Sequence, residues 1–167
     1  MRRILQSVAI VSVGVLLGQT AFAADFPANP PQSAIMAPAF SWTGFYLGIN
    51  GGGMWNGGTG GGLIGGTAGY NVQNGPWVLG VEGDLDYVTS GGRNYFGTVR
   101  GRVGYTWDRL LPYVTGGVAF TDGDTSGVVG AGLEYAFAPQ LSAKAEYLYA
   151  WNNGGGHILR VGVNYHF

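Results

Sequence analysis

Ionisable side chains recur at alternate positions between residues 82 and 160 of this chain, a spacing that places side chains on one face of a β-strand. Nine of them stand out, five acids and four bases: Glu82, Asp84, Asp86, Glu134 and Glu146, and Arg100, Arg102, Lys144 and Arg160. On facing strands such charges can pair in a closed interior, or they can line a path for ions. The sequence therefore offers two chemistries, a packed ionic network and a small channel.

Hairpins between neighbouring strands would bring these charges together. One is expected to turn near residues 90–92 and another around Pro139, where glycine and proline favour turns. The cross-strand neighbours expected from these turns are Glu82 or Asp84 with Arg100 and Glu134 with Lys144. Across the last hairpin, Arg160 is expected to reach Glu146 diagonally.

Catalytic chemistry has few candidates in this sequence. Lipid hydrolysis or acyl transfer needs a nucleophile beside a base, and the chain offers His157 and His166, with Ser90 and Ser126 on other expected loops. Nothing in the sequence fixes their geometry, so we interpret His157 as a histidine at a membrane interface. A lipid-modifying outer-membrane enzyme is kept as a remote alternative. No His, Cys or carboxylate cluster has metal-ligand spacing, and no cofactor is expected.

Eight segments with a period of two would carry these side chains. In the fourth, Val99 alternates with Arg100, and in the fifth Val114 is placed outward and Tyr113 inward. Segments that are apolar outside and polar inside, and long enough to cross a bilayer when tilted, predict an all-β fold, an eight-stranded antiparallel transmembrane up-and-down β-barrel. The segments cover residues 43–55, 62–73, 77–88, 94–107, 111–121, 127–137, 141–151 and 159–167.

Composition and the first 40 residues agree with export to a membrane. Only 10% of residues are charged and 14% are aromatic, whereas soluble domains have about 25% charged residues. Residues 1–23 have the arginines, apolar run and small residues of a signal peptide. Residues 24–40 are rich in proline and predict an extended periplasmic tail, which leaves 41–167 for the barrel. Without a clustered basic face, no nucleic-acid partner is expected.

Aromatic side chains fall near both ends of the expected strands. Such belts are typical of the two membrane interfaces. An even number of strands puts both chain ends on the same side, which is expected to be the periplasm. One belt contains Tyr70, Trp77, Tyr105, Trp107, Tyr135, Phe137, Tyr165 and Phe167, and the other contains Trp55, Tyr87, Tyr95, Phe120, Tyr149 and Trp151.

Several motifs resemble one known family. They are FSWTGFYLG at 40–48, GTVRGRVGY at 97–105, LPYVTGG at 111–117, GAGLEY at 130–135 and KAEY at 144–147. In combination they are similar to the small outer-membrane β-barrel porin family of alphaproteobacteria, which is related to OmpA-type and opacity-type barrels. The resemblance implies an abundant eight-stranded protein that supports envelope integrity and is exposed as a surface antigen. It also implies that Tyr165 and Phe167, in the last strand, are the signal read by the barrel assembly machinery.

The expected outer loops are shorter than those of that family. They cover about residues 56–61, 89–93, 122–126 and 152–156. Because adhesion and immune exposure depend on loops, we expect a compact structural barrel filled by its ion pairs. A small, low-conductance porin for ions or small solutes is the alternative. The expected partners are outer-membrane lipids and, during insertion, the assembly machinery, and the expected state is a monomer.

Overall fold

The computed structural model of the chain describes residues 40–89, 95–121, 123–151 and 156–167. They form eight antiparallel strands, each paired with its sequence neighbours, and β1 pairs with β8 to close a barrel. The predicted fold class is confirmed. The strands are β1 Gly44–Asn56, β2 Thr59–Asn74, β3 Trp77–Val88, β4 Tyr95–Tyr105, β5 Leu110–Thr121, β6 Asp124–Ala138, β7 Leu141–Ala150 and β8 Gly156–His166.

Within the described residues, no helix has the length and apolar character required to cross a membrane. The signal-peptide prediction for 1–23 and nearly all of the predicted tail at 24–40 lie outside the described residues. Phe40, the last residue assigned to that tail, packs inside the barrel.

The two ends of the barrel differ in their connections. We call the end that holds Gly44 and Phe167 the terminal end, and the opposite one the loop end. At the loop end, β1 and β2 extend to Asn56 and Thr59, so that the connection predicted at 56–61 shrinks to Gly57 and Gly58. These glycines have φ of 56° and 105°, angles that residues with a Cβ adopt at a cost, and the tight turn depends on them.

Three other strand limits differ from the predictions by more than one residue. β6 begins at Asp124 instead of 127 and β8 at Gly156 instead of 159, because cross-strand pairing starts before the first clearly alternating residue. β4 ends at Tyr105 instead of 107, because Trp107 turns to pair with Leu110 in a tight connection at the terminal end.

Apolar side chains point outward along the whole barrel wall. Ile49 is 72% exposed, whereas Arg100 is 1% exposed, and the outward placement of Val114 and inward placement of Tyr113 in β5 are confirmed. Of the charged side chains in the described residues, Asp108, Arg109 and Asp124 alone lie outside the lumen, and all three are in turns or at a strand end. The wall between them is therefore matched to hydrocarbon.

Aromatic contacts mark both ends of the outer wall. At the terminal end, Trp77 and Tyr105 face each other across β3 and β4 with ring centroids 5.3 Å apart. At the loop end, Tyr87 and Tyr95 do the same at 6.0 Å. The predicted belts thus lie at opposite ends of the same strands.

Large inward side chains lie directly opposite inward glycines of the neighbouring strand. Tyr46 faces Gly69, and a Cβ added at Gly69 would lie 2.3 Å from the tyrosine ring. Arg100 faces Gly117, where a Cβ would lie 2.7 Å from the arginine Cα. An eight-stranded lumen has room only for side chains, so that each bulky group needs such a gap, and this requirement accounts for part of the high glycine content.

The lumen is layered along its axis. Two apolar clusters lie inside the two ends of the barrel, and the polar residues lie between them. The terminal-end cluster consists of Phe40, Trp42, Val78, Leu111 and Ala136. The loop-end cluster consists of Leu63, Val88, Phe96, Ala119, Val128, Leu148, Ala150 and Ile158.

The polar lumen as candidate functional site

All nine charged residues singled out in the sequence point into the lumen. None is more than 6% exposed, and they come from five strands, β3, β4, β6, β7 and β8. Because charges removed from water are costly unless they are paired, their contacts decide what the site can do.

Arg100 is the centre of the network. Its guanidinium contacts Glu82, lies 2.6 Å from Asp84 and 2.9 Å from Glu146, and its Nε donates to Thr98 at 3.0 Å. Glu82 lies directly opposite Arg100 in the register, whereas Glu146 approaches from the far side of the barrel. One arginine therefore ties β3, β4 and β7 together.

Arg160 forms the second centre. It lies 2.7 Å from Glu146, 2.9 Å from Asp84 and 3.1 Å from Asp86. Glu146 is directly opposite Arg160 in the register, not diagonal to it as the sequence suggested, because the β7 to β8 connection places these two residues in phase. Asp84 and Glu146 are thus shared between the two arginines, and the network is continuous.

Lys144 departs from its expected partner. Glu134 and Lys144 do face each other in the register, yet the Lys144 ammonium lies 2.9 Å from Glu82 across the lumen. Glu134 is instead 2.6 Å from Arg102 and accepts hydrogen bonds from Ser142 and Asn164. In so narrow a lumen the long lysine side chain reaches the opposite wall as easily as its neighbour.

Two inward tyrosines to which the sequence analysis gave no role belong to the network. Tyr46 donates its hydroxyl to Glu82 at 2.7 Å, and Tyr113 donates to Glu146 at 3.0 Å. The Arg102 guanidinium lies over the Tyr113 ring, 4.2 Å from its centroid. Their inward position beside predicted charges was the available sequence signal.

His166 connects the network to the terminal-end cluster. Its Nε2 lies 2.9 Å from the Ser142 hydroxyl and 3.6 Å from Glu134, and its ring contacts those of Phe40 and Trp42. In a catalytic triad the carboxylate binds the other ring nitrogen and leaves the serine to the base. Here the hydroxyl is buried and donates to Glu134 at 2.5 Å, an arrangement suited to holding side chains in place.

His157, the other histidine, is separate from the lumen. It lies on the outer wall at the loop end, where its ring stacks on Trp55. Ser90 lies outside the described residues. Among the residues that the structure covers, no three His, Asp or Glu side chains are grouped so that they could hold a metal ion.

A closed barrel with a lipid-matched wall is shared with a known protein family. The family model described as outer membrane protein beta-barrel domain matches residues 11–167. The chain belongs to this family. The resemblance drawn from the motifs is confirmed, and the protein is an outer-membrane β-barrel of the OmpA-like type.

Curated relatives within this family are outer-membrane proteins of alphaproteobacteria. The 31 kDa outer-membrane immunogenic protein of Brucella melitensis is 32% identical over 243 aligned positions, which cover 98% of this chain and all of the relative. The 22 kDa outer membrane protein of Rhizobium leguminosarum is 41% identical, over 71% of this chain and 68% of the relative.

Solved structures show the same fold at low sequence identity. Neisserial surface protein A is 17% identical with a TM-score of 0.53, over 75% of this chain and 98% of that one. The N-terminal β-barrel domain of Pseudomonas aeruginosa OprF is 20% identical with a TM-score of 0.52, over 73% and 97%. A transmembrane β-barrel designed de novo is 22% identical with a TM-score of 0.56, over 77% of this chain and 99% of that one.

Proposed function

We propose that this protein is a structural outer-membrane barrel whose lumen is permanently closed and which supports the integrity of the envelope. The observation that carries the proposal is the layering of the lumen, in which a continuous ion-pair network lies between two apolar clusters. Water entering from either end meets apolar side chains first, and apolar constrictions resist wetting. Each of the nine charged side chains in the layer behind them already has an ion-pair partner within that layer.

The terminal-end cluster is held shut by side-chain hydrogen bonds. Trp42 is fully buried, its backbone N–H donates to Gln73 at 2.9 Å, and its indole Nε1 donates to Thr106 at 2.9 Å. Thr43 accepts a hydrogen bond from the Gln73 backbone N–H at 2.9 Å. Residues 40–43, directly before β1, therefore form a fixed cap in the mouth of the barrel, which supports closure at that end.

A small, low-conductance channel is the alternative function. Buried polar atoms of Asn50, Asn71, Asp86 and Asn164 have no hydrogen-bond partner among the described residues, and such atoms favour trapped water. These atoms could become part of a conducting path if both apolar clusters opened.

Planar-bilayer recordings separate the two functions. We expect the purified barrel to give no conductance steps above those of a protein-free bilayer. Reproducible steps that change in Trp42→Ala but not in Trp107→Ala, which removes an outward tryptophan at the same end, would favour the channel. The structural role further requires that the protein restore detergent resistance to cells that lack it.

The terminal end is proposed to face the periplasm, and β8 to carry the signal for the assembly machinery. Phe167 is 70% exposed on the outer wall, packs against Tyr165 at 5.1 Å, and its N–H donates to Phe45 at 3.0 Å. A machine that pairs with an open strand edge could read this aromatic pair before β1 and β8 join.

Removal of Phe167 tests the assembly proposal. We expect export to continue while less protein appears in the outer membrane as the folded form, which migrates differently from boiled protein on a gel. Phe137→Ala serves as the control, because it removes an aromatic ring at the same end of the barrel, on β6, and leaves the last strand intact. Full recovery of the truncated protein in the outer membrane would show that Phe167 is not the signal.

We propose that this chain exposes less polypeptide at the cell surface than its Brucella relatives do. The alignment to the 31 kDa protein extends over 243 positions, whereas this chain has 167 residues, so the relative has stretches without a counterpart here. The two-residue turn at Gly57 and Gly58 shows one connection reduced to its minimum. The immunogenic character in the relatives' names is therefore not the main role that we propose for this chain.

A further inference from the structure

One side chain on the outward faces of the described strands can carry a positive charge. It is His157 of β8, which lies opposite Trp55 of β1 and Tyr149 of β7 in the register. It is half-buried, at the loop-end belt, where the outer wall meets the polar part of a membrane. The ion-pair network in the lumen does not involve it.

The His157 ring is held in one orientation by its neighbours. It stacks on Trp55 with centroids 5.7 Å apart and planes 15° apart, and it contacts the Tyr149 ring at 5.2 Å. The Tyr147 hydroxyl lies 2.6 Å from Nδ1. When this hydroxyl donates to Nδ1, the ring proton stays on Nε2, which can then donate to an outside acceptor.

An apolar groove begins beside His157, at Tyr147, whose hydroxyl is hydrogen-bonded to the His157 ring. It has a volume of about 710 Å³ and extends over the outer wall from Tyr147 and Leu159 near the loop end to Trp77 at the terminal end. The small side chains of Ala131 and Ala145 form part of its lining. A hydrogen-bond donor at one end of an apolar groove matches a molecule with a polar head and a hydrocarbon chain.

We propose that His157 and this groove bind one phosphorylated membrane lipid. The phosphate accepts the hydrogen bond from Nε2, and an acyl chain lies along Leu159, Ala145 and Ala131. A phosphate is the favoured head because an anionic oxygen accepts a hydrogen bond from the Nε2–H more strongly than a neutral oxygen does. The membrane in which the protein resides supplies both parts of this ligand. The site is independent of whether the lumen is closed.

Native mass spectrometry of the barrel tests the site. The protein is loaded with phosphatidylglycerol, delipidated in steps, and the retained lipid is counted. We expect one lipid to persist on the wild type, and about tenfold weaker retention in both His157→Phe, which keeps a stacking ring without the donor, and Ala145→Leu, which fills the groove. A galactosyl diacylglycerol with the same acyl chains should not distinguish the wild type from His157→Phe.

Matched controls lie on the outer wall outside the groove. Tyr95→Phe controls for Tyr147→Phe, which should weaken retention, and Ala68→Leu controls for Ala145→Leu; both controls should retain lipid as the wild type does. Folding of every variant is checked by the gel shift on boiling. Equal retention in wild type and His157→Phe, or equal losses of the phosphate and galactosyl lipids, would overturn the proposal. If His157→Phe fails to fold, undiminished retention in Tyr147→Phe and Ala145→Leu overturns it instead.

Discussion

At the scale of single residues, Arg100 has the most consequential position in the molecule. Its guanidinium lies between Glu82, Asp84 and Glu146, and it is 1% exposed. An intact buried ion pair adds little stability over an apolar filling of the same volume, but loss of one partner leaves buried charge uncompensated. The three buried carboxylates therefore need Arg100 as their shared partner, and the buried Arg100 charge needs them in the same way.

Arg100→Ala is expected to lower the free energy of unfolding by about 3 to 5 kcal/mol, because three carboxylates lose their shared partner. Urea titration of the barrel in lipid vesicles, followed by tryptophan fluorescence, measures the change. Arg109→Ala removes the same side chain from a turn, and Asp124→Ala removes an exposed carboxylate; both should shift the unfolding free energy by less than about 0.5 kcal/mol. Equal losses in all three variants would contradict a structural role for the network.

At the scale of the strands, register decides which bulky side chains fit. The lumen accommodates Tyr46 because Gly69 of β2 lies opposite, and it accommodates Tyr113 because Gly132 of β6 lies opposite. A one-residue slip of either pair would direct these rings at the lipid and the apolar residues at the ion pairs. The glycines therefore fix the register as much as the charges do.

Gly69→Ala is expected to destabilise the barrel by about 1 to 3 kcal/mol, because its Cβ would displace the Tyr46 ring and with it the hydroxyl that donates to Glu82. Gly66→Ala is the matched control on the same strand. It faces outward, and its Cβ would lie 3.8 Å from the nearest atom, an ordinary contact. Urea unfolding of the two variants should therefore differ, and similar midpoints would show that inward glycines are not needed for packing.

At the scale of the whole molecule, the barrel reverses the usual arrangement of a protein. Ion pairs occupy the middle of the interior and apolar side chains form the outer wall, since the surrounding solvent is hydrocarbon and unpaired backbone groups are avoided by closing the sheet. The interior nevertheless has apolar clusters at both ends. They separate the charged layer from water at each mouth, which is why we favour a closed structural barrel over a channel.

Much of this arrangement was determined by the sequence alone. In a strand, successive side chains alternate between faces, so that the period of two in residues such as Val99, Arg100, Leu133 and Glu134 was enough to assign the lipid and lumen sides. Turn residues around Pro139 and the glycines near 57 gave the order of hairpins. The number of strands, their facing and the inward set of charged residues follow from these local rules.

Closure of the barrel decided the rest. Lys144 contacts Glu82 instead of Glu134, and Glu146 is shared by Arg100 and Arg160, because closing the sheet brings β3 and β4 across a narrow lumen from β7 and β8. The pairing of residues within a single hairpin does not reveal contacts across the lumen. The apolar clusters, the cap formed by Trp42 and the groove beside His157 likewise depend on how residues distant in sequence line up around the axis. Distances across a closed wall are set by all eight strands together, so only the tertiary structure could supply them.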